Sequence, residues 1–526
     1  MIKNLTLQNV RIFDGGSWSI RTPKLTVFCG TNSAGKSTVL KTLLLLRQSQ
    51  GIQEGSITKN GTLRFAGTQV DVGDFTSFVS HNDIAKEIGI SITVNGKAPA
   101  EWMKLLSLCA SADNPAVLSN TLTDQNEYQF TASLSFAGTP GRQRGTSTEP
   151  QRCRYSGTLS NALYTIQTDR THPLKWLARR RTNTTESNDR YDIHIPESYF
   201  KNMGGSHMME GGASDDNGNV IFGTRLNGLM PESIVARLKI RDTKTKREAW
   251  NLWPMPPHIS DAQNALTKAL TRLHYLGPLR SPGRRFYLTQ LDDRPSWDAT
   301  GESLPSILRD RLGDSIWNCS PFDSAKVSQI SLGEALDIWL RYFRTGEYSD
   351  IRGHLSEVDL TVTSDVLVEV RIKSSTNSEF HALTDSGFGY SQVIPIIIRG
   401  LLAEQDSTIL IEQPELHLNP SLQVRLAHFF AMIQCGKQVI VETHSEHIVN
   451  TIRVLCAEDP THTLHQECSI QYLSTKDGKV LLKELSIHPN GMIPQWPKEF
   501  FGEASALAGR LLRAQKLFIS ASQNSP

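Results

Sequence analysis

Residues 28–38 read Phe-Cys-Gly-Thr-Asn-Ser-Ala-Gly-Lys-Ser-Thr, and the spacing of Gly30, Gly35, Lys36 and Ser37 leaves few paths for the chain. The apolar run Leu25, Val27, Phe28 before it predicts a strand, and the stretch Thr38 to Gln48 after it predicts an amphipathic helix. In that setting the two glycines permit a tight turn and close backbone approach. The N–H groups of Gly30, Thr31, Asn32, Ser33, Ala34, Gly35, Lys36, Ser37 and Thr38 are then expected to surround a phosphate at the helix N-terminus. Lys36 would reach the β- and γ-phosphates and the Ser37 hydroxyl would ligate Mg²⁺, so ATP and Mg²⁺ are the expected cofactors.

At 526 residues the chain is long enough for two or three domains. A net charge of +2 argues against a polybasic tail but leaves room for local basic patches. The seven cysteines are scattered, with no C-x-x-C pair and no zinc spacing, which suits a reducing cytoplasm. No secretory leader pattern opens the sequence, and no apolar run approaches the ~20 residues of a membrane span. A cytoplasmic protein with no membrane partner is expected.

Residues 1–83 read as strands around the loop, with a short strand pair near Leu63 to Val72. From 84 to 274 alternating segments (Ile88 to Val94, Tyr128 to Phe136, Tyr155 to Gln167) predict a β-rich insertion, with loops near 139–150 and 203–219. Two basic knots stand out: Lys175, Arg179, Arg180 and Arg181 around Trp176, and Arg280, Arg284 and Arg285 before Phe286-Tyr287. Each suits phosphate-backbone contact with nucleic acid, and each equally suits a solvated surface. Residues 275–450 change to buried strand, turn and helix, and 451–526 predict a hairpin at Lys476-Asp477-Gly478 and a closing helix, Glu503 to Gln515.

Thr408 to Ile411 and Gln438 to Val441 read as strands of a parallel sheet, whose carboxyl ends form the ligand site. Glu412 follows the first strand and is expected to hold Mg²⁺ with Ser37. The next position, where a water-activating base is expected, is Gln413. A glutamine orients water but cannot take its proton, and Glu415 could substitute if the turn at Pro414 aims it inward. His444 follows the second strand, at the same sheet edge. Ser386, Gly387, Gly389, Ser391 and Gln392 open a further helix and form a second candidate phosphate grip.

With these residues in place, the chain resembles ABC-type, SMC-like AAA ATPases of the overcoming-lysogenisation-defect and RecF-like branch, in the group carrying the domain of unknown function DUF3696. The resemblance rests on the phosphate loop, Tyr275-Leu276-Gly277-Pro278-Leu279-Arg280, Ile411 to Leu418, Val441 to His447 and Pro494-Gln495-Trp496-Pro497. It implies an α/β fold: an ABC-type P-loop ATPase head, a mixed sheet flanked by helices, assembled from both ends of the chain around a large β-rich insertion. It further implies a homodimer or larger homo-oligomer in which each ATP lies between the loop, Glu412 and His444 of one subunit and Gly387 to Gln392 of another. Two positions depart from the pattern: Gly387 replaces a serine and Gln413 a glutamate.

Similar ATPases of Septu-type and retron-associated systems act with a separate effector such as an HNH nuclease, and no nuclease is read after His444. The expectation is therefore a slow ATPase that controls an effector in antiphage defence. A DNA-repair or recombination clamp and a non-hydrolysing ATP-binding scaffold are the alternatives. A transporter subunit would have a far shorter distance between phosphate loop and Gly387.

Overall fold

The computed structural model describes residues 1–50, 63–97, 127–138, 147–159, 162–169, 191–196, 209–210, 219–238, 249–255, 257–288, 298–320, 323–347, 358–363, 367–373, 379–385, 388–434, 436–476, 478–497 and 509–515. The central feature is a six-stranded sheet in the order Leu273–Leu276, Thr408–Glu412, Gln438–Glu442, Leu25–Gly30, Cys468–Lys476, Lys479–Leu485. The first five strands are mutually parallel and the last closes an antiparallel hairpin at the edge.

Near-continuous apolar runs form these strands because both faces are covered. Leu25, Val27, Ile409, Ile411, Val439 and Val441 enter one core with the helices Leu332–Thr345, Phe388–Leu402, Pro420–Ile433 and Glu446–Glu458. Phe28, Leu410, Ile440 and Leu473 enter a second core with the helix Lys36–Ser49. That helix is longer than Thr38 to Gln48 and buried on most of its surface, so the amphipathic reading gives way to a central helix.

The second core is closed by a large antiparallel sheet. Its main path runs Met209–Glu210, Met230–Leu238, Asn219–Asn227, Tyr191–Pro196, Ala162–Asp169, Ser147–Leu159, Glu127–Ala137, Ile88–Lys97, Ile2–Gln8, Trp18–Arg21. No boundary at residue 84 separates two cores. Leu5 pairs with Ile92, and Ile92 with Ala132, so the first strands of the predicted insertion complete the sheet begun at the N-terminus. The stretch read as one alternating segment from Tyr155 to Gln167 is two strands folded back on each other, with Leu159 opposite Ala162.

A buried side chain helps to tie the two ends of the chain together. The buried Gln438 amide donates to the carbonyls of Ile2 and Thr22, each at 2.6 Å, and accepts from the Ile2 N–H at 3.2 Å and the Thr408 hydroxyl at 2.8 Å. Such a fully satisfied buried amide fixes the lateral register of strands that are far apart in sequence. The hairpin around Gly478 forms as expected, while of the closing helix only 509–515 lie within the described residues. Among the described residues no helix is long and apolar enough to cross a membrane.

Candidate nucleotide site

Parallel strands bring their carboxyl ends to one edge, so residues near 30, 275, 412 and 442 converge there. The loop leaves its strand at Gly30, whose φ is 124° and whose hypothetical Cβ would lie 1.8 Å from the Leu473 carbonyl oxygen. Only glycine fits that approach. Thr31 N–H donates to the same carbonyl at 3.0 Å, and Thr31, Asn32 and Ser33 form the exposed crest of the loop. Gly35, at φ 93°, turns the chain into Lys36–Ser49, whose first turn has no side-chain cap and no acidic residue. Its dipole and N–H groups therefore face the loop without a carboxylate from the helix's own first turn.

Lys36 is buried at the base of the loop, with Nζ donating to the carbonyls of Thr31 at 2.7 Å and Gly30 at 3.3 Å. Burial lowers its pKa, while Glu442 raises it in partial compensation. The Ser37 hydroxyl donates to Glu442 Oε1 at 2.8 Å. Ser37 was expected to share a metal with Glu412, but its carboxylate neighbour is Glu442. The reason is strand order: Gln438–Glu442 lies directly beside the loop strand, and Thr408–Glu412 lies one place further out.

Glu412 and Glu442 are opposite one another in the register, at 5% and 3% exposure. Burial, reinforced by the Glu442 charge, pushes Glu412 up to about 7; Lys41 and the Tyr275 hydroxyl oppose the shift. Glu442 is also raised, chiefly by burial, with Ser37, Lys36 and Lys41 opposing. Two buried carboxylates beside a hydroxyl and a phosphate loop form a hard-oxygen donor set suited to Mg²⁺. Glu442 Oε2, buried without a hydrogen-bond partner, fits the same ion.

Tyr275 and Arg280 complete the floor. The Tyr275 hydroxyl donates to Glu412 Oε1 at 3.1 Å, and the Arg280 guanidinium donates through Nη2 to the Glu412 carbonyl at 2.9 Å. Arg280 is 5% exposed, so it supports the site from within and does not offer its charge to a nucleic-acid backbone. Arg284 and Arg285 are exposed but paired, with Glu302 at 3.0 Å and Asp385 at 2.9 Å. Lys175, Arg179, Arg180 and Arg181 lie outside the described residues.

Gln413 adopts φ 43° and donates its N–H to the Glu442 carbonyl at 2.8 Å, which bends the chain sharply after the strand. Glu415 then reaches across to the neighbouring strand end. Its Oε2 accepts from the Thr443 hydroxyl and its Oε1 from the His444 N–H, both at 2.7 Å. Glu415 is thus a clamp that positions His444. The His444 side chain is exposed, and its pKa is lowered by partial burial and then by the Lys36 ammonium.

Of the second grip, Ser386 and Gly387 lie outside the described residues. Gly389 is half-buried in the first turn of Phe388–Leu402. Ser391 and Gln392 are 4% and 1% exposed, because the helix turns them toward the core. Their side chains are packed within the fold of this chain.

Residues 341–449 match the family model described as AAA ATPase domain, and residues 465–511 match that described as a protein of unknown function, DUF3696. No curated protein matches the chain. Among solved structures, the SMC head bound to the C-winged helix domain of ScpA aligns with 11% identity and a TM-score of 0.36, over 92% of this chain and 98% of that one. The SMC head domain from Thermotoga maritima gives 8% identity and 0.33, over 92% and 98%. The Pyrococcus furiosus SMC head with an extended coiled coil, bound to the C-terminal domain of ScpA, gives 10% and 0.36, over 92% and 96%. The phosphate loop, the strand order and the ATPase-domain match together support ATP binding in an α/β P-loop head built from both ends of the chain.

Proposed function

We propose that the chain is a slow ATPase, converting ATP to ADP and phosphate, whose heads pair around bound ATP and thereby control a separate effector in bacterial antiphage defence. The observation that carries the catalytic part is the Ser37–Glu442 hydrogen bond beside Lys36, with Glu412 on the adjoining strand. A buried ammonium, a hydroxyl and two buried carboxylates beside a glycine-turned loop suit a phosphate group and its metal. The loop amides and Lys36 would hold the β- and γ-phosphates, Lys36 exchanging its bonds to the Thr31 and Gly30 carbonyls for phosphate oxygens. Ser37, Glu442 and Glu412 would hold Mg²⁺, which when bound neutralises charge on the transferring phosphoryl group.

Slowness follows from the residues left to activate water. Gln413 is neutral, and both Glu415 oxygens already accept hydrogen bonds from the next strand end. Those two bonds hold the Glu415 carboxylate against the next strand end and away from a free role as base. The same facts favour, as a second reading, a scaffold that binds ATP without hydrolysing it. Pairing of heads and the defence role draw on the motif resemblance, and Gly389 is the described residue of the second grip through which a partner's phosphate could be approached.

Lys36→Ala tests the proposal. Equilibrium binding of a fluorescent ATP analogue should fall at least about 10²-fold, since charge-assisted phosphate contacts are among the strongest polar ones. Phage plating on cells carrying the chain with its genomic neighbours should lose protection with the same variant. Wild-type binding would end the ATP assignment, and unimpaired protection would end the defence reading.

A further inference from the structure

We propose that Glu442 is the principal carboxylate of the metal site, meeting the Mg²⁺ of bound ATP together with Ser37. Three observations lead there. Ser37, the loop's metal-binding hydroxyl, donates to Glu442 Oε1 at 2.8 Å and makes no corresponding bond to Glu412. Glu442 ends the strand adjacent to the loop strand, whereas Glu412 ends the next one out. Finally, Glu442 is 3% exposed and its Oε2 has no hydrogen-bond partner. An anionic oxygen left bare in a buried site is strongly disfavoured unless a cation or donor meets it when the site is in use.

Glu412 is provided for differently. Tyr275 donates to its Oε1 and Arg280 holds its backbone carbonyl, so its carboxylate already has a neutral donor in place. Accepting the Ser37 proton through Oε1 aims the hydroxyl's lone pairs away from Glu442. Glu442 Oε2, which accepts no hydrogen bond, is left to offer its charge to a cation there, directly or through a bound water. The division of labour is a metal carboxylate on the inner strand and a Tyr275-held carboxylate on the outer one.

The inference rests on the ATP-binding reading, and one titration separates the two. A fluorescent ATP analogue is bound to the full chain first in EDTA and then with Mg²⁺ or Mn²⁺, and the ratio of the two affinities gives the gain from metal. For Glu442→Gln that gain should drop about 10- to 100-fold. Glu412→Gln should lose less. Ser37→Ala combined with Glu442→Gln should lose little more than either alone, since the two groups act as a unit. If Glu442→Gln does not fold by thermal melting, Glu442→Asp keeps the charge but withdraws it, and should lose a measurable part of the gain. A full metal gain in whichever Glu442 variant folds would overturn the inference while leaving ATP binding intact. A wild-type chain that binds no nucleotide in either condition would overturn both.

Discussion

The two large sheets share a core yet treat chain ends in opposite ways. In the parallel sheet five strands finish at one edge, so Gly30, Tyr275, Glu412, Glu442 and the segment after Gly30 meet although they lie up to hundreds of residues apart. In the antiparallel sheet successive strands finish at alternating edges, and its buried side chains, such as Leu5, Ile92 and Ala132, do nothing but pack. Chemistry is concentrated where strand direction is uniform, and stability is supplied where it alternates. Substitutions in the two sheets should therefore have separable effects.

The largest expected effect is on turnover at the parallel edge. On the proposed reading Gln413→Glu supplies the missing base, and general bases are worth ~10²–10⁴-fold. Steady-state phosphate release should rise by about 10²-fold, with ATP affinity little changed. No rise would mean that another group, Glu415 foremost, already serves.

At the other sheet, Ile92→Ala removes buried methyl groups between Leu5 and Ala132. Urea unfolding should show a loss of roughly 2–5 kcal/mol. Below the unfolding transition ATP affinity should be that of the wild type; a large loss of affinity would show that the two sheets are not separable in this way.

A smaller effect links the edge to stability through pH. Glu412 has a pKa near 7 in the fold against an ordinary 4.5, so the native state holds its proton more tightly than the unfolded chain. That contribution is fully present below pH 4.5 and is lost as pH rises through 7, amounting to about 3 kcal/mol at most. Nucleotide-free protein should thus lose stability between pH 5 and 8 by this amount relative to Glu412→Gln. Unfolding curves at each pH would read it, and identical slopes for both proteins would contradict it.

What could be read from the sequence follows the same division. The loop and the strands ending at Glu412 and Glu442 were legible because a fixed spacing and unbroken apolar runs are local signals. Glu442 ends such a run just as Glu412 does, and that parallel was the available clue to its role. Its contact with Ser37 was hidden, because it depends on which strand lies next to the loop strand. Tyr275 and Arg280 were visible as a motif, but their bonds to Glu412 come from sheet neighbours. The burial of Ser391 and Gln392 was hidden, because the run Val393 to Leu402, apolar but for Arg399, gives no clear helical phase. The pairing of Ile88–Lys97 with Ile2–Gln8 is a long-range register that alternation alone cannot specify.

Hydrogen exchange with and without MgATP tests the central claim most directly, because it reads both sheets in one protein. Binding at an edge assembled from both chain ends should slow amide exchange together in peptides covering 30–38, 412–416 and 442–445. Peptides covering 88–97 and 127–137 should exchange at unchanged rates. Protection confined to one end of the chain, or appearing in the antiparallel strands instead, would contradict the account.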